Sequence, residues 1–193
     1  MSELDREKWN QRYRGGAYTT RLHPCALLED WMDSIPVGRA IDVACGAGRN
    51  ALYLAKRGFE VDAVDISAEA LDRARGIAQQ MDLAVNWLEH DLDERLELGS
   101  GYQLILIVRY VNLPLVRNLV TSLAPGGFLV CEQHLLTEEK VVGPANPSFR
   151  VRRGDLLAVA EGLDIRYLEE TLVPEPDGQK AALARLVAEK VMG

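Results

Sequence analysis

The sequence contains little of what marks disulfide-rich, metal-binding or membrane-spanning proteins. Its 193 residues include three cysteines, Cys25, Cys45 and Cys131, and no CxxC pair, so neither a disulfide framework nor a metal site is expected. No apolar run approaches the roughly 20 residues of a membrane span, and the charged start MSELDREKWN lacks the apolar segment of a signal peptide. We therefore expect a cytoplasmic protein with reduced thiols, no metal and no membrane partner.

Positive charge is also scarce, since 22 Lys and Arg residues stand against 29 Asp and Glu residues, for a net charge of -7. Such an excess of acid disfavours nucleic acid as a partner. The hydrophobic share of 48% is ordinary for a globular protein, and the length predicts a single domain over residues 1–193. Within it, we expect residues 1–35 to form an N-terminal helical lid segment and residues 36–193 the core of a monomer or homodimer.

Short apolar runs alternate with helical patterns along most of the chain, which is typical of α/β proteins with a parallel sheet. Pro125, Gly126 and Gly127 predict a sharp turn into the fifth strand, and PEPDG at 174–178 predicts the loop of a terminal antiparallel hairpin. Strands are predicted at 39–44, 60–67, 84–91, 102–110, 124–133, 164–173 and 180–190, and helices at 50–58, 68–81, 114–123 and 154–162.

The stretch IDVACGAGRN places two glycines, Gly46 and Gly48, between the first strand and a helix. Such a turn lets a ligand approach the backbone and the amides of a helix N-terminus. It also satisfies the GxGxxA variant of the NAD fingerprint, and Asp65 follows Gly46 by 19 residues, about where a ribose-binding acid belongs. An NAD(P)-binding Rossmann oxidoreductase is therefore one hypothesis.

Asp42 favours a different ligand, because it puts a carboxylate inside an otherwise apolar strand, four residues before Gly46. Burying a carboxylate is costly without a partner, and a purely structural turn has no evident use for it. A pyrophosphate would be repelled by this group, whereas a cationic ligand would be attracted. The strand and turn together therefore favour a cationic cofactor.

With an acid on strand 1 followed by a GxG turn, the chain resembles class I S-adenosylmethionine-dependent methyltransferases. Asp65 after strand 2 matches the acid that binds the ribose hydroxyls in that family, Asp91 matches the acid near the adenine amino group, and APGG matches a common turn. WNQRYRGG and DVACGAGRNALYLA are similar to small bacterial methyltransferases of the tellurite-resistance and thiopurine-methyltransferase-like groups. Ala44 and Gln103 depart from the pattern, since many relatives have glycine and an acid there.

The resemblance implies a Rossmann-like, doubly wound and mostly parallel seven-stranded sheet, with strand order 3-2-1-4-5-7-6, an antiparallel last strand and helices on both faces. It implies S-adenosyl-L-methionine as cofactor, S-adenosyl-L-homocysteine as product and a small-molecule methyl acceptor. The residues expected at the cofactor are Trp9, Tyr13, Asp42, Ala44, Gly46, Gly48, Arg49, Asn50, Asp65, Ile66, Asp91 and Leu92.

Candidates for the acceptor side come from the ends of strands 4 and 5. Tyr110 and His134 are the candidate catalytic residues, with His134 expected to be a base whose pKa is near neutrality. Contacts to the substrate are expected from Arg109, Asn112 and Arg150, the last beside an irregular segment at 137–149 that is expected to lie over the substrate. RYVN at 109–112 lacks the Asn/Asp-Pro-Pro-Tyr that relatives use on the amino groups of bases and glutamine, so methylation of nucleic-acid bases is disfavoured. A cofactor-binding module without catalysis remains the third hypothesis.

Overall fold

A computed structural model describes residues 3–20, 22–175 and 178–191. The α-helices of these residues are α1 Glu3–Arg14, α2 Ala26–Trp31, α3 Arg49–Lys56, α4 Ala68–Gln80, α5 Leu113–Val120 and α6 Asp155–Val159. The strands are β1 Arg39–Val43, β2 Glu60–Asp65, β3 Asn86–Glu89, β4 Tyr102–Val108, β5 Leu123–His134, β6 Asp164–Pro174 and β7 Lys180–Glu189. None of the described helices combines the length and apolar character needed to cross a membrane.

All of these strands form one sheet in the order β3-β2-β1-β4-β5-β7-β6. Neighbouring strands from β3 to β5 are parallel, whereas β7 runs antiparallel to both β5 and β6. The predicted Rossmann-like class and strand order are confirmed. Parallel order brings the carboxyl ends of β1, β2, β4 and β5 to one edge of the sheet, where ligands bind in doubly wound folds.

The sheet is covered on both faces, which explains the apolar runs of its central strands. In β4, Ile105 and Ile107 belong to the cluster that packs with α5 and α6, whereas Leu104 and Leu106 belong to the cluster that packs with α2, α3 and α4. All of these side chains are fully buried. The alternation along one strand therefore supplies both hydrophobic layers.

Several predicted boundaries are wrong in detail. The APGG sequence is not a turn ahead of β5, because Ala124 to Gly127 form a bulge inside that strand, where the pairing of β4 with β5 shifts register. The helix predicted at 68–81 ends one residue earlier, at Gln80, and Met81 after it is 46% exposed. Residues 176 and 177 of the predicted hairpin loop lie outside the described residues.

Helix α1 lies against α4 and is attached to it by polar contacts. The Ser67 hydroxyl donates to Asn10 Oδ1 at 2.8 Å, and Arg14 donates to Glu69 at 2.8 Å. Arg73 donates to the backbone carbonyl of Ala17 at 2.8 Å and also to the carbonyl of Tyr13. These contacts fix the N-terminal helix beside the carboxyl end of β2.

At the opposite edge of the sheet, Asp62 of β2 contacts side chains of three other strands, β1, β3 and β4. The Tyr102 hydroxyl donates to Asp62 Oδ2 at 2.6 Å, and Arg39 donates to the same oxygen at 3.2 Å. Asn86 donates to the other carboxylate oxygen at 2.7 Å. The Tyr102 ring is buried, with the Arg39 guanidinium 4.5 Å from its centroid, so the whole network is held in place.

We expect the substitution Tyr102→Phe to lower the free energy of unfolding by about 1–2 kcal/mol, because it keeps the buried ring but removes a hydrogen bond to a carboxylate. Urea-induced unfolding measures the change. The matched control is Tyr53→Phe, which removes a hydroxyl 3.0 Å from the exposed Arg57 and should change stability by less than about 0.5 kcal/mol. Equal losses in the two variants would contradict a structural role for the Asp62 network.

Candidate functional site

The turn between β1 and α3 has a backbone that only small residues can follow. Gly46 and Gly48 have φ values of 56° and 78°, in the left-handed region that favours glycine. A Cβ on Gly48 would lie 2.5 Å from Cη2 of Trp87, so the indole ring of this β3 residue leaves room only for glycine at position 48. Ala44 has a φ of 57°, which explains physically why glycine suits this position in relatives.

Asp65, the last residue of β2, is tied to this turn. Its Oδ2 accepts a hydrogen bond from the Gly46 amide at 2.8 Å, and its Oδ1 accepts one from the Ser67 amide at 2.9 Å. Burial raises the pKa of the Asp65 carboxyl, while the hydrogen bonds from the Ser67 and Gly46 amides lower it. The same carboxyl also lies at the wall of the cavity described next.

A cavity of about 640 Å³ opens at the carboxyl ends of β1, β2, β4 and β5. Of the residues predicted from the sequence, twelve line it: Trp9, Tyr13, Ala44, Gly46, Arg49, Asn50, Asp65, Ile66, Leu92, Arg109, Tyr110 and His134. The volume is in the usual range for a site that binds a small molecule, about 300–1,000 Å³. Among the described residues, no group of three or more His, Cys, Asp or Glu side chains is arranged to hold a metal ion.

The N-terminal helix closes one side of the cavity. Tyr13 is buried, and its hydroxyl lies so close to the Gly46 backbone that a side chain on Gly46 would clash with it. Trp9 and Tyr18 lie on either side, with ring centroids 6.4 Å and 5.7 Å from that of Tyr13. The structure therefore brings both predicted lid aromatics to the glycine turn.

On the opposite side, Arg109 follows β4 with a φ of 59°, a strained conformation for a side chain of this size. Its guanidinium forms ion pairs with Glu132 at 3.2 Å and with Glu175 at 2.7 Å. Glu132 is buried and pairs through its other oxygen with Arg185 at 3.0 Å. The position of Arg109 at the cavity wall is thus determined by two carboxylates.

His134 ends β5 and reaches the cavity, but the expected near-neutral pKa is wrong. Burial, together with the positive charges of Arg109 and Arg150, lowers the pKa of the imidazole to about 4. Its buried Nδ1 has no hydrogen-bond partner among the described residues and lies against the backbone of Gly143. The side chain is therefore neutral at physiological pH and is a weaker base than the sequence suggests.

Five predicted residues are not brought to the cavity wall: Asp42, Gly48, Asp91, Asn112 and Arg150. Asn112 is instead the N-cap of α5, where its Oδ1 accepts from the Leu115 amide at 3.0 Å. The Arg150 guanidinium donates to the carbonyls of Leu135 at 3.0 Å and Pro144 at 2.9 Å, so it organises the loop after β5. Asp91 accepts from the Asp93 amide at 2.9 Å and Gly48 lies beneath Trp87.

Asp42 has a structural partner that the sequence did not reveal. Its Oδ2 accepts a hydrogen bond from the Ala51 amide of α3 at 3.1 Å, and the side chain is fully buried. Burial raises the pKa of this carboxyl to about 7, and Arg49 acts in the opposite direction. The expectation that a structural turn has no use for a buried acid is therefore wrong, because the Asp42 carboxylate accepts a hydrogen bond from an amide at the start of α3.

Sequence reasoning missed other parts of the wall. Lys8, Arg12, Tyr18 and Phe149 line the cavity, and so do Gly143 and Pro144 of the segment expected over the substrate. The sequence did contain a signal for Lys8 and Arg12. They are spaced by one helical turn, as are the adjacent Trp9 and Tyr13, and side chains four residues apart share a helix face. Nothing local indicates that Phe149 meets α1.

Residues 40–127 match the family described as "methyltransferase domain". A ubiquinone biosynthesis O-methyltransferase of Rickettsia typhi is 30% identical over 95 residues, which cover 47% of this chain and 38% of that protein. A ubiquinone biosynthesis O-methyltransferase of Coxiella burnetii is 30% identical over 94 residues, or 46% of this chain and 40% of that protein. The matches thus span well under half of the length of these relatives.

Solved structures are similar over nearly the whole chain. TehB from Haemophilus influenzae superposes with a TM-score of 0.76 at 18% identity, over 94% of this chain and 67% of that one. The geranyl diphosphate C-methyltransferase of Streptomyces coelicolor, solved with S-adenosyl-L-homocysteine, gives a TM-score of 0.67 at 18% identity, over 86% of this chain and 80% of that one. These superpositions confirm the predicted fold, and the match of residues 40–127 confirms the resemblance to methyltransferases.

We expect Gly48→Ala to lower the free energy of unfolding by about 1–3 kcal/mol, because alanine is strained at positive φ and its methyl group meets the Trp87 ring. The matched control is Gly76→Ala within α4, where a Cβ would meet no atom within 4 Å. That change should stabilise the protein by about 0.5–1 kcal/mol. Chemical unfolding distinguishes the two, and stabilisation by both substitutions would contradict the left-handed turn.

Proposed function

We propose that this chain is a class I S-adenosylmethionine-dependent methyltransferase and that it methylates a small-molecule nucleophile. When bound, S-adenosylmethionine supplies an activated methyl carbon on a sulfonium. A lone pair of the acceptor forms the new bond to that carbon while the carbon–sulfur bond breaks, and the electron pair goes to sulfur. The products are the methylated acceptor and S-adenosylhomocysteine.

The observation that best supports this proposal is that Asp65 and the glycine turn face one cavity. Each Asp65 oxygen accepts one backbone amide, and a carboxylate oxygen retains a further lone pair for a ribose hydroxyl. Gly46 presents bare backbone where an adenosyl group would approach, and Ile66 and Leu92 add apolar wall beside it. The residues present therefore fit a nucleoside cofactor.

The charges near the turn favour a sulfonium cofactor over a dinucleotide. Asp42 and Asp65 are both buried carboxyls whose pKa is raised by burial. A bound cation would favour their ionised forms, so that binding the cation would lower both pKa values. A pyrophosphate beside Asp42 would have the opposite effect and would be repelled by it, whereas Asp65 suits the ribose of either cofactor and does not distinguish them. This is the physical reason for ranking the NAD(P)-dependent oxidoreductase second.

Other residues would orient and enclose the cofactor. Arg49 and the first amides of α3 lie at the cavity, where they suit the carboxylate of the methionine moiety, although the Arg49 guanidinium also donates to the His23 carbonyl at 3.1 Å. Trp9 and Tyr13 would cover the adenosyl group and exclude water, because α1 is attached to α4 directly above the turn. Contacts from Asp91 to the adenine stay a prediction.

The acceptor would enter on the side of Tyr110 and His134. Methyl transfer of this kind needs chiefly orientation and a dry site, and a base is needed only when the acceptor has a proton to lose. His134 is neutral near pH 7, so it can accept a hydrogen bond from an acceptor hydroxyl or thiol but has little driving force to take its proton. An acceptor atom from which the protein need not remove a proton therefore suits this site best.

The proposal includes a cytoplasmic setting. All three cysteines, Cys25, Cys45 and Cys131, are buried free thiols, as is common in reducing compartments. The prediction that the protein is a monomer or a homodimer is tested separately, by measuring the molar mass of the purified chain with light scattering.

We expect Asp65→Asn to weaken the binding of S-adenosylhomocysteine by about 10- to 100-fold, because hydrogen bonds to a charged carboxylate contribute about 1.5–3 kcal/mol. Isothermal titration calorimetry gives the affinity, and circular dichroism checks that the variant is folded. The control is Glu60→Gln, which alters an exposed carboxylate at the other end of the same strand and should leave the affinity unchanged. Wild-type affinity in a folded Asp65→Asn variant would refute the assignment of Asp65 to the ribose.

Catalysis itself is tested by an acceptor screen that follows the release of S-adenosylhomocysteine across thiols, phenols, carboxylates and selenite. Turnover with any class supports a transferase. Tight cofactor binding without turnover in every class would instead favour the third hypothesis, a binding module.

A further inference from the structure

Two positive side chains of α1 line the cavity, together with the acidic side chain of Asp5 from the same helix. Lys8 and Arg12 lie one helical turn apart and both line the cavity wall. Within residues 3–20, 22–175 and 178–191, neither forms an ion pair, whereas Arg14 of the same helix is paired with Glu69 at 2.8 Å. Both side chains are exposed at the rim, so they are available to a negatively charged ligand.

Each of these cations lies over an aromatic ring. The Lys8 Nζ is 6.0 Å from the centroid of Phe149, and the Arg12 guanidinium carbon is 5.0 Å from that of Trp9. Phe149 belongs to the loop between β5 and α6, and it is 50% exposed although it is a large apolar residue. Lys8 and Phe149 therefore face each other across the mouth of the cavity, one from the N-terminal helix and one from the loop.

The positive groups on the acceptor side already have partners within the protein. Arg109 of the wall pairs with Glu132 and Glu175, and the Arg150 guanidinium, outside the wall, donates to backbone carbonyls. His134 is uncharged near pH 7, as described above. The wall there also includes Tyr110, Val111, Pro144 and Phe149, which suit an apolar and flat body, beside the polar side chains of Asp93 and Ser148.

We propose that the methyl acceptor is an organic anion with a flat apolar body, whose charged group is held by Lys8 and Arg12 while its body lies against Phe149, Pro144 and Val111. This inference rests on the proposed methyl transfer and narrows its substrate class. The acceptor atom then points inward to Tyr110 and His134, and the negative group stays at the solvent-exposed rim. A small inorganic oxyanion has no body to occupy the apolar part of this wall.

The carboxylate of the cofactor itself is the competing ligand for these cations. Arg49 and the amides of α3 lie on the glycine turn and are assigned to that carboxylate above. Lys8 instead contacts Phe149, on the loop over the acceptor side. The two roles make opposite predictions for a variant that lacks the α1 cations.

The test measures binding of matched acceptor analogues by calorimetry with S-adenosylhomocysteine already bound. The probes are 4-hydroxybenzoate, salicylate and phenyl phosphate, each compared with an uncharged partner (4-hydroxybenzamide, salicylamide and phenol), together with sodium selenite. We expect the wild type to bind at least one organic anion about tenfold more tightly than its uncharged partner, and more tightly than selenite. The preference should fall as salt is added, because the rim is exposed.

The double substitution Lys8→Gln/Arg12→Gln should abolish the preference, because the anion should then bind no more tightly than its uncharged partner. The affinity for the uncharged probe should not change. Phe149→Ala should weaken both members of the pair. The control, Lys56→Gln/Arg75→Gln, removes the same charge from exposed positions on α3 and α4 that do not line the cavity, and should keep the preference.

Retention of the preference in the Lys8→Gln/Arg12→Gln variant would overturn the inference, and so would three other outcomes. The first is that the wild type prefers none of the organic anions to its uncharged partner, and the second is that selenite binds as tightly as they do. The third is a loss of S-adenosylhomocysteine affinity in the α1 double variant, which would assign the two cations to the cofactor. Failure of S-adenosylhomocysteine to bind the wild type would instead contradict the proposed function itself. The two failures are distinguishable, because this binding is measured before any acceptor probe is added.

Discussion

The hydrogen bond from the Gly46 amide to Asp65, at 2.8 Å, joins the two strand ends on which the cavity is built. The same carboxylate accepts the Ser67 amide, and the Ser67 hydroxyl in turn caps α4 by accepting from the Ala70 amide at 3.2 Å. One buried side chain thus fixes the glycine turn, the end of β2 and the start of α4. Without it, two amides would be left without their partner in the core, which is costly.

The position of α1 depends indirectly on the same carboxylate. The Ser67 hydroxyl donates to Asn10 of α1, and Glu69 in the first turn of α4 pairs with Arg14. The position of α1 over the turn is therefore set by the start of α4, which Asp65 helps to determine. Tyr13 reaches Gly46 because of this arrangement, so the cofactor side and its cover share one structural origin.

The strands and the residues around the turn could be predicted because they rest on local signals: hydrophobic period, glycine spacing and an acid at a strand end. The strand order was predicted from the resemblance to methyltransferases that these residues carry. The roles of Asp42, Asn112 and Arg150 could not be predicted, since each side chain meets a backbone group whose position only the folded chain defines. The low pKa of His134 depends on burial and on two arginines from other elements. The contact of Lys8 with Phe149 joins opposite ends of the sequence, and no local pattern encodes it.

The central claim is that the turn and Asp65 recognise an adenosyl sulfonium cofactor rather than a dinucleotide. The most direct measurement is a pair of calorimetric titrations of the wild-type protein, one with S-adenosylhomocysteine and one with NAD, followed by a competition between them. We expect one S-adenosylhomocysteine per chain and neither binding nor competition by NAD. Saturable NAD binding that S-adenosylhomocysteine does not displace, with no binding of S-adenosylhomocysteine itself, would contradict the account.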